Sequence, residues 1–397
     1  ANKLRRYTRL KKHKPTERFA EYFSVHRHII NRIHDSGFKA YFIGGCVRDS
    51  LNGIQPYDFD IATDANPENI YSIFENVRST GIKYGTLTVY INDFCYQITT
   101  FRKEGGYTDF RKPDEIMFTK NLYSDLLRRD FTINTLAFDG TYIYEYFNAL
   151  ADLNDGIIKT VGSADRRFKE DALRILRAVR FAAKYKFKIE EDTFLSMKKL
   201  SFLLKNISKE RIYDELSKII YSAEDIKVLF DTNIAYYIFS NPQYINQEKL
   251  EGKAYLAKLA SVFSNYPNLD MIKKELKDLR ADNKTINTVL KVIEYKNHQT
   301  DELSLRKLLT KMKKHDVYVL MDFQNADSSV LDEIVYSGYI SDINELDITG
   351  HDIMELGYST KDIKRIKEML IDKVIFDITA NRKDRLIKMI FEEYDNR

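Results

Sequence analysis

The stretch that decides the fold is Tyr57-Asp58-Phe59-Asp60-Ile61, which has the alternation of a β-strand. Because side chains alternate between the two faces of a strand, we expect Tyr57, Phe59 and Ile61 to be buried together. Asp58 and Asp60 then project from the opposite face. An isolated Asp-x-Asp is more often a solvated loop, but two carboxylates on a rigid edge suit Mg²⁺, which commonly binds one or two carboxylates together with substrate phosphates. Asp58 and Asp60 are therefore the candidate catalytic and metal-binding residues.

A glycine pair precedes this stretch. The apolar segment Ala40–Ile43 predicts a short buried strand that leads directly into Gly44-Gly45. Glycines at such a turn let backbone amides approach an anion closely, as a phosphate site requires. A glycine pair alone usually marks only a turn. Followed closely by Arg48, Asp49 and the two carboxylates, it predicts a site for a triphosphate and metal.

A second polar cluster is Arg128-Arg129-Asp130, followed shortly by Asn134. Arginine is the natural partner of phosphate oxygens, and a fixed Asp or Asn can bind a ribose hydroxyl. The alternative is a surface salt bridge at the start of a helix. Residues alone leave both interpretations open.

A third cluster comprises Asp171, Arg174 and Arg177, preceded by Arg167. A helical period places one apolar stripe at Ala172, Leu176, Val179 and Ala183. It places Asp171, Arg174 and Arg167 on another face, with Asp171 and Arg174 adjacent at i, i+3. The ordinary interpretation of this pair is an ion pair within a helix.

The same pair also predicts base selection. Adenine and cytosine both present an exocyclic amine donor beside a ring-nitrogen acceptor, whereas guanine and uracil present a carbonyl beside a ring N–H. An acceptor at Asp171 beside a donor at Arg174 therefore matches ATP and CTP. GTP and UTP would leave polar groups mispaired, and mispairing in a closed site discriminates strongly.

The composition is that of a globular chain with more than one domain. Its 397 residues are 44% hydrophobic and 31% charged, with a net charge of only +4. Basic residues crowd the first 18 positions without the apolar core of a secretory signal, so export is not expected. This segment is either a solvated tail or an RNA contact. Two cysteines fit a reducing compartment, so we expect a cytoplasmic protein. The alternative is a mitochondrial protein after import, because a basic, acid-poor start also resembles an organelle-targeting segment.

The pattern changes along the chain from mixed to helical. Before Thr160 we expect strands and glycine turns, and from Asp165 onward the period is almost entirely helical. Three local features are predicted in the first part: a helix start at Asn66-Pro67, a hairpin of Thr86–Ile91 with Cys95–Phe101, and a mobile loop over Lys103–Pro113.

Taken in order, these motifs resemble those of class II tRNA nucleotidyltransferases, the bacterial-type CCA-adding enzymes that share their fold with bacterial poly(A) polymerases. The resemblance is dense from Phe38 to Lys218 and weaker at Leu346–Gly357. It rests on Gly-Gly-Cys-Val-Arg-Asp, Asp58-Phe59-Asp60, Arg129-Asp130-Phe131-Thr132-x-Asn134, Glu170-Asp171-x-x-Arg174 and Ser208-Lys209-Glu210-Arg211-Ile212.

The resemblance implies an α+β fold, with a polymerase-β-like nucleotidyltransferase head followed by an all-helical neck, body and tail. The expected divisions are a basic arm at 1–20, the head at 21–150, the neck at 151–222, the body at 223–330 and the tail at 331–397. The loop at Lys103–Pro113 is similar to the flexible loop of CCA-adding members.

The resemblance also implies roles for single residues. Asp58 and Asp60 would hold two Mg²⁺ ions. Nucleotide contacts are implied for Gly44, Gly45, Arg48, Arg129, Asp130, Asn134, Asp171, Arg174 and Arg177. Basic runs on helical stretches are usually solvated faces, but the resemblance implies contact with the acceptor arm of tRNA for five such residues: Lys307, Lys311, Lys361, Lys364 and Arg365.

The expected function is addition or repair of the 3′-terminal CCA of tRNA from CTP and ATP, with no membrane and no stable protein partner. The alternatives are a poly(A) polymerase, an enzyme that adds only C or only A, and a weakened RNA-binding module. The last arises because the family commonly has an acid where this chain has Gln97. Gln97 and the nearby Arg102 are therefore candidate modulators of the rate.

Overall fold

The strand Ala40–Ile43 forms as predicted, and a computed structural model describes the chain around it over residues 10–105 and 115–394. The chain divides into two compact units, residues 1–223 with 227–240, and residues 224–226 with 241–397. These units are coarser than the division into arm, head, neck, body and tail, which stays a prediction.

An eight-stranded sheet forms the base of the first unit. Its strands are β1 (Lys11–His13), β2 (Ala40–Ile43), β3 (Phe59–Thr63), β4 (Val77–Gly81), β5 (Thr86–Ile91), β6 (Phe94–Thr100), β9 (Ala137–Phe138) and β10 (Ile143–Glu145). They lie in the order β1-β10-β9-β2-β3-β6-β5-β4. Neighbouring strands are antiparallel except β3 and β6, which are parallel. Two small sheets pair β7 (Arg102–Gly105) with β8 (Glu115–Phe118), and β11 (Ile157–Ile158) with β12 (Lys188–Ile189).

Helices of the first unit cover the sheet and continue beyond it. They are α1 (Glu17–Phe23), α2 (Arg27–Asp35), α3 (Gly45–Leu51), α4 (Pro67–Ile73), α5 (Leu122–Leu127), α6 (Ala149–Asn154), α7 (Ala164–Glu170), α8 (Leu173–Tyr185), α9 (Glu191–Leu200), α10 (Lys209–Ser222), α11 (Lys227–Asp231) and α12 (Ala235–Ile238). The predicted helix start is confirmed, since the Asn66 side chain accepts from the Asn69 amide in a capping box.

The second unit is helical in its described residues. Its helices are α13 (Tyr255–Val262), α14 (Leu269–Asp278), α15 (Asn283–Glu294), α16 (Glu302–Leu309), α17 (Lys314–Phe323), α18 (Ser329–Ser337), α19 (Gly350–Glu355), α20 (Thr360–Val374) and α21 (Lys383–Glu393). Near its end, α19, α20 and α21 share a buried core that includes Ile353, Ile366, Leu370, Leu386 and Ile390.

One face of the large sheet is closed by aromatic packing. The ring of Phe23 lies 4.9 Å from Phe42 and 5.0 Å from Phe138, between centroids. On the other face, Leu122 and Leu126 of α5 pack in one cluster with Ile43 and Ala62. Asp60 and Gln97, on the same face, are exposed.

Two expectations need correction. Tyr57 is not buried with Phe59 and Ile61 but is 91% exposed, because strand pairing begins only at Phe59 and Tyr57 lies in the preceding loop. The loop predicted from Lys103 begins instead as strand β7, whose register with β8 pairs Arg102 with Phe118. The rest of that predicted loop, residues 106–113, lies outside the described residues.

The basic segment at the start is also not a free arm over its described part. Lys11–His13 forms the edge strand β1, which pairs with β10, and α1 begins at Glu17. The Nζ atom of Lys12 lies 5.0 Å from the centre of the Tyr144 ring. The described part of this basic segment, from residue 10, therefore belongs to the first unit. Residues 1–9 lie outside the described range.

Candidate active site

Asp58 and Asp60 lie at the open face of the sheet. Both are exposed, Asp60 within β3 and Asp58 just before it. Partial desolvation by the surrounding protein raises the pKa of Asp60, the charge of Asp58 adds to this, and the Arg129 guanidinium opposes it. A cation between the two carboxylates would relieve their repulsion.

Gln97 is the direct neighbour of Asp60. The two residues are Cα partners in parallel strands β3 and β6, and Thr88 pairs with Gln97 from the other side. Gln97 is exposed on the same face. The residue that departs from the family pattern therefore stands beside Asp60, and Gln97 provides no third carboxylate there.

The carboxylate oxygens of Asp58 and Asp60 form part of a ligand set for Mg²⁺. Among the described residues no group of three or more His, Cys, Asp or Glu side chains could hold a metal ion. Mg²⁺ nevertheless commonly uses one or two carboxylates and takes its other oxygens from substrate phosphates and water. Asp58 and Asp60 match that requirement.

The glycine turn is built to bring α3 close to the sheet. Gly44 has φ 72°, a conformation that favours glycine, and its amide donates to the carbonyl of Leu136. A Cβ atom at Gly44 would lie 3.4 Å from Nη1 of Arg129. The Gly44 amide is thus engaged with protein, and the glycine leaves room for the Arg129 guanidinium.

Arg48 lies beneath this turn. It is buried, its Nη1 donates to Oδ1 of Asn134, and its Nε donates to Oδ1 of Asp49 at 2.9 Å. Its guanidinium also stacks on the rings of Phe181 and Tyr185, 5.1 and 4.7 Å from their centres. Arg48 is therefore committed to protein partners, and its contact with a triphosphate stays a prediction.

Arg129 is better placed to meet phosphates. Its Nη2 donates to Oδ2 of the fully buried Asp125 at 3.2 Å, whereas its buried Nε has no partner among the described residues. Its charge acts on Asp60. Arg129 thus offers positive charge between the glycine turn and the two carboxylates.

Asp130 and Asn134 form the centre of a polar network. One oxygen of Asp130 accepts from Nδ2 of Asn134 at 2.9 Å, and the other accepts from Nε and Nη2 of Arg177 at 2.8 and 2.5 Å. Burial disfavours the charge of Asp130, but Arg177 and Asn134 outweigh it, and the pKa lies well below its ordinary value. Through Asn134 the network continues to Arg48. Ribose contacts by Asp130 or Asn134 stay a prediction.

The base-selecting pair does not lie on one helix, which corrects an expectation. Helix α7 ends at Glu170 and α8 begins at Leu173, with Asp171 extended between them at φ −145° and ψ 106°. The Asp171 carboxylate turns back to accept from the Leu173 amide at 3.1 Å. Its i, i+3 relation to Arg174 is a turn in which the Arg174 amide donates to the Asp171 carbonyl.

Other residues hold this pair in place. Arg174 donates to Oε2 of Glu170 and to the carbonyl of Arg128, both at 3.0 Å. Nη2 of Arg211, in α10, lies 3.5 Å from Oδ2 of Asp171. Burial raises the pKa of Asp171, and the guanidiniums of Arg211 and Arg174 oppose this rise. The break between two helices thus presents an acceptor and a donor held by separate partners.

Several supporting residues were not predicted. Asp125 binds both Arg128 and Arg129, and the only sequence signal was its position one turn before them. Glu104 was not predicted either; it pairs at 2.7 Å with Arg102, the candidate modulator, within β7. Glu170 and Arg211 belong to motifs that carry the family resemblance, but their contacts with Arg174 and Asp171 were not predicted.

The candidate tRNA-binding cations lie in the second unit. They are all exposed, on or beside α16 and on α20: Lys307, Lys311, Lys361, Lys364 and Arg365. Exposure is compatible with RNA contact, which stays a prediction.

Across the described residues, no helix is long and apolar enough to cross a membrane.

Two family models match the chain. Residues 40–159 match the Poly A polymerase head domain, and residues 186–246 match the "Probable RNA and SrmB- binding site of polymerase A". The chain is 48% identical to the CCA-adding enzyme of Ligilactobacillus salivarius over 193 residues, 48% of either chain. That alignment spans about half the length of this relative.

Longer matches cover nearly the whole chain. The CCA-adding enzyme of Staphylococcus aureus strain Mu3 is 33% identical over 376 residues, 92% of this chain and 86% of that one. The crystal structure of the Bacillus stearothermophilus CCA-adding enzyme in complex with CTP matches with a TM-score of 0.81 and 26% identity, over 95% of this chain and 98% of that one. A CCA-adding enzyme from Thermotoga maritima, complexed with tRNA, shares the fold at a TM-score of 0.66 and 18% identity.

These matches confirm the expected α+β fold, a polymerase-β-like head followed by helices, and they confirm the family resemblance. The chain belongs to the family of bacterial-type CCA-adding enzymes.

Proposed function

We propose that this protein adds or repairs the 3′-terminal CCA of tRNA, using CTP and ATP and releasing pyrophosphate. The observation that carries the proposal is the pair of exposed carboxylates, Asp58 and Asp60, beside the partly unpaired guanidinium of Arg129. The relatives named CCA-adding enzymes support the same activity. We further propose that the protein is cytoplasmic.

Asp58 and Asp60 would hold two Mg²⁺ ions. When bound, such ions activate the attacking hydroxyl and stabilise the charge of the pyrophosphate leaving group. The 3′-hydroxyl of the tRNA attacks the α-phosphate in line, and the bond to pyrophosphate breaks. Arg129 binds the triphosphate and orients it, since its Nη1 lies beside Gly44 and its charge acts on Asp60.

Asp171 and Arg174 select the base. The Asp171 carboxylate accepts from the exocyclic amine of cytosine or adenine, and Arg174 donates to the adjacent ring nitrogen. The contacts of Arg174 with Glu170 and the Arg128 carbonyl fix its direction. Because both bases share this donor and acceptor pattern, one pair of side chains serves both additions.

The helical second unit would hold the acceptor arm. Duplex RNA is recognised largely through its shape and backbone, and exposed Lys and Arg side chains suit phosphate contacts. The cations on α16 and α20 provide such groups.

The proposal is tested by the Asp58→Ala variant. We expect it to bind CTP but to lose transfer to a tRNA transcript, because Arg129 and the base-selecting pair remain while the metal site does not. Transfer is measured with labelled CTP and binding by calorimetry. An Asp58→Ala variant with wild-type turnover would contradict the assignment.

A further inference from the structure

Helix α8 carries the base-selecting Arg174 at its first turn and ends in a polar anchor at its last residue, Tyr185. The Tyr185 hydroxyl donates to Oδ1 of Asp49 at 2.7 Å. Asp49 also accepts from Nε of Arg48 at 2.9 Å and lies 3.6 Å from Nζ of Lys184. The end of α8 is thereby attached to α3, the helix that follows the glycine turn.

A second anchor holds the middle of the same helix. Arg177 binds Asp130, Asp130 binds Asn134, and Asn134 accepts from Arg48. Arg48 in turn binds Asp49. The two anchors are therefore connected by side chains, and together with α8 they form a closed ring. In order, its members are Arg177, Asp130, Asn134, Arg48, Asp49 and Tyr185.

Aromatic packing makes this ring stiff. The Arg48 guanidinium lies over the rings of Phe181 and Tyr185, which are stacked on each other at 6.2 Å and 19°. Arg48 is 4% exposed, and the Asp49 side chain is 15% exposed. Hydrogen bonds to charged groups in such surroundings are among the stronger ones in proteins.

We propose that Tyr185 is a positioning residue for base selection, and that its hydrogen bond to Asp49 fixes the direction of α8 and hence the place of Arg174 at its other end. The inference rests on the proposed function, because it assigns Arg174 to the base. Arg174 is also held directly by Glu170 and the Arg128 carbonyl, and Arg180 of the same helix binds Glu215 of α10 at 3.1 Å. Tyr185 adds the contact at the far end of α8, and base selection is sensitive to small displacements of Arg174.

The test is Tyr185→Phe, which removes the hydroxyl and keeps the ring over Arg48. Tyr144→Phe is the matched control, because the Tyr144 hydroxyl donates to Oδ2 of Asp139 at 2.6 Å in the same unit but outside this ring of side chains. Calorimetry measures the dissociation constants of CTP and UTP, and primer extension measures kcat and KM for each. Melting temperatures of both variants are recorded alongside.

We expect Tyr185→Phe to reduce the preference for CTP over UTP by about three- to tenfold, the range for one buried hydrogen bond. Tyr144→Phe should keep the wild-type preference at a similar melting temperature. In an Asp49→Ala background, Tyr185→Phe should cause no further loss.

The inference would be overturned if Tyr185→Phe kept the wild-type preference for CTP over UTP, or if Tyr144→Phe lost as much of it. It would also be overturned if Tyr185→Phe caused its full loss of preference again in the Asp49→Ala background. The ratio of the dissociation constants of CTP and UTP is measured without turnover, so it tests the role of Tyr185 even if the wild-type protein transfers no nucleotide. Absence of transfer by the wild-type protein would overturn the proposed function and leave the inference about Tyr185 to the binding data.

Discussion

Replacing Asp130 by Asn probes the network that joins the two polar anchors of α8. The side chain keeps its shape but loses its charge, so Arg177 is left without its carboxylate partner. Removing one partner of a buried ion pair costs about 3–5 kcal/mol. Arg177 is 32% exposed, and water can solvate part of its charge, so we expect the free energy of unfolding to fall by about 2–3 kcal/mol at pH 7.

The pH dependence of this loss has a definite sign. The pKa of Asp130 in the folded protein lies below its value in the unfolded chain, which is about 3.9. The stabilisation is therefore fully present above that value and is lost as the pH falls toward the folded pKa. The gap between wild type and Asp130→Asn should be constant from about pH 5 to 8 and should shrink below about pH 4.

The assay is urea unfolding read by pulsed hydrogen exchange on peptides of the first unit, because the chain has two compact units that can unfold separately. Asp165→Asn is the control: Asp165 binds Nζ of Lys199 at 2.5 Å, but the lysine is 65% exposed. Such exposed pairs contribute about 0–1 kcal/mol. A loss in Asp130→Asn no larger than in this control, or a gap that widens in acid, would refute the reasoning.

Three further predictions concern the substrates and the metal. Gln97→Glu should leave kcat intact or raise it and should lower the Mg²⁺ concentration needed for half-maximal activity, because it adds a carboxylate beside Asp60; a large loss of kcat would count against this placement. Arg129→Ala should raise KM for CTP and ATP alike, by about tenfold or more, and a loss confined to one nucleotide would show that the residue meets the base instead. Replacing Lys361, Lys364 and Arg365 together by Gln should raise KM for tRNA and weaken its salt dependence, while calorimetric CTP binding is unchanged; unaltered tRNA kinetics would argue against contact there.

Local patterns predicted local structure well. The buried strand before Gly44, the helix cap at Asn66 and the β5–β6 hairpin all formed, since each depends on residues close in sequence. The hairpin turn has Asn92 at φ 51°, a conformation that asparagine tolerates. The fold itself was predicted from the resemblance of the ordered motifs to class II tRNA nucleotidyltransferases, and the structural match confirms it.

Features that depend on distant partners were not predicted. Tyr57 continues the alternation of a strand, but its burial required a neighbouring strand that begins to pair only at Phe59. The periodicity around Asp171 is helical, yet the chain breaks there, and its carboxylate lies 3.5 Å from Nη2 of Arg211, which is remote in sequence. The burial of Arg48 against Asn134 and Tyr185 was not predicted either, because these partners are remote in sequence; its contact with a triphosphate stays a prediction.

The most direct test of the proposed function uses tRNA transcripts that end before the CCA, after its first C, and after both. Each is incubated with the protein, Mg²⁺, CTP and ATP, and the products are sized at single-nucleotide resolution. The account predicts extension by three, two and one nucleotides, with every product stopping at CCA. Long A tails, addition of only one kind of nucleotide, or no extension at all would contradict it.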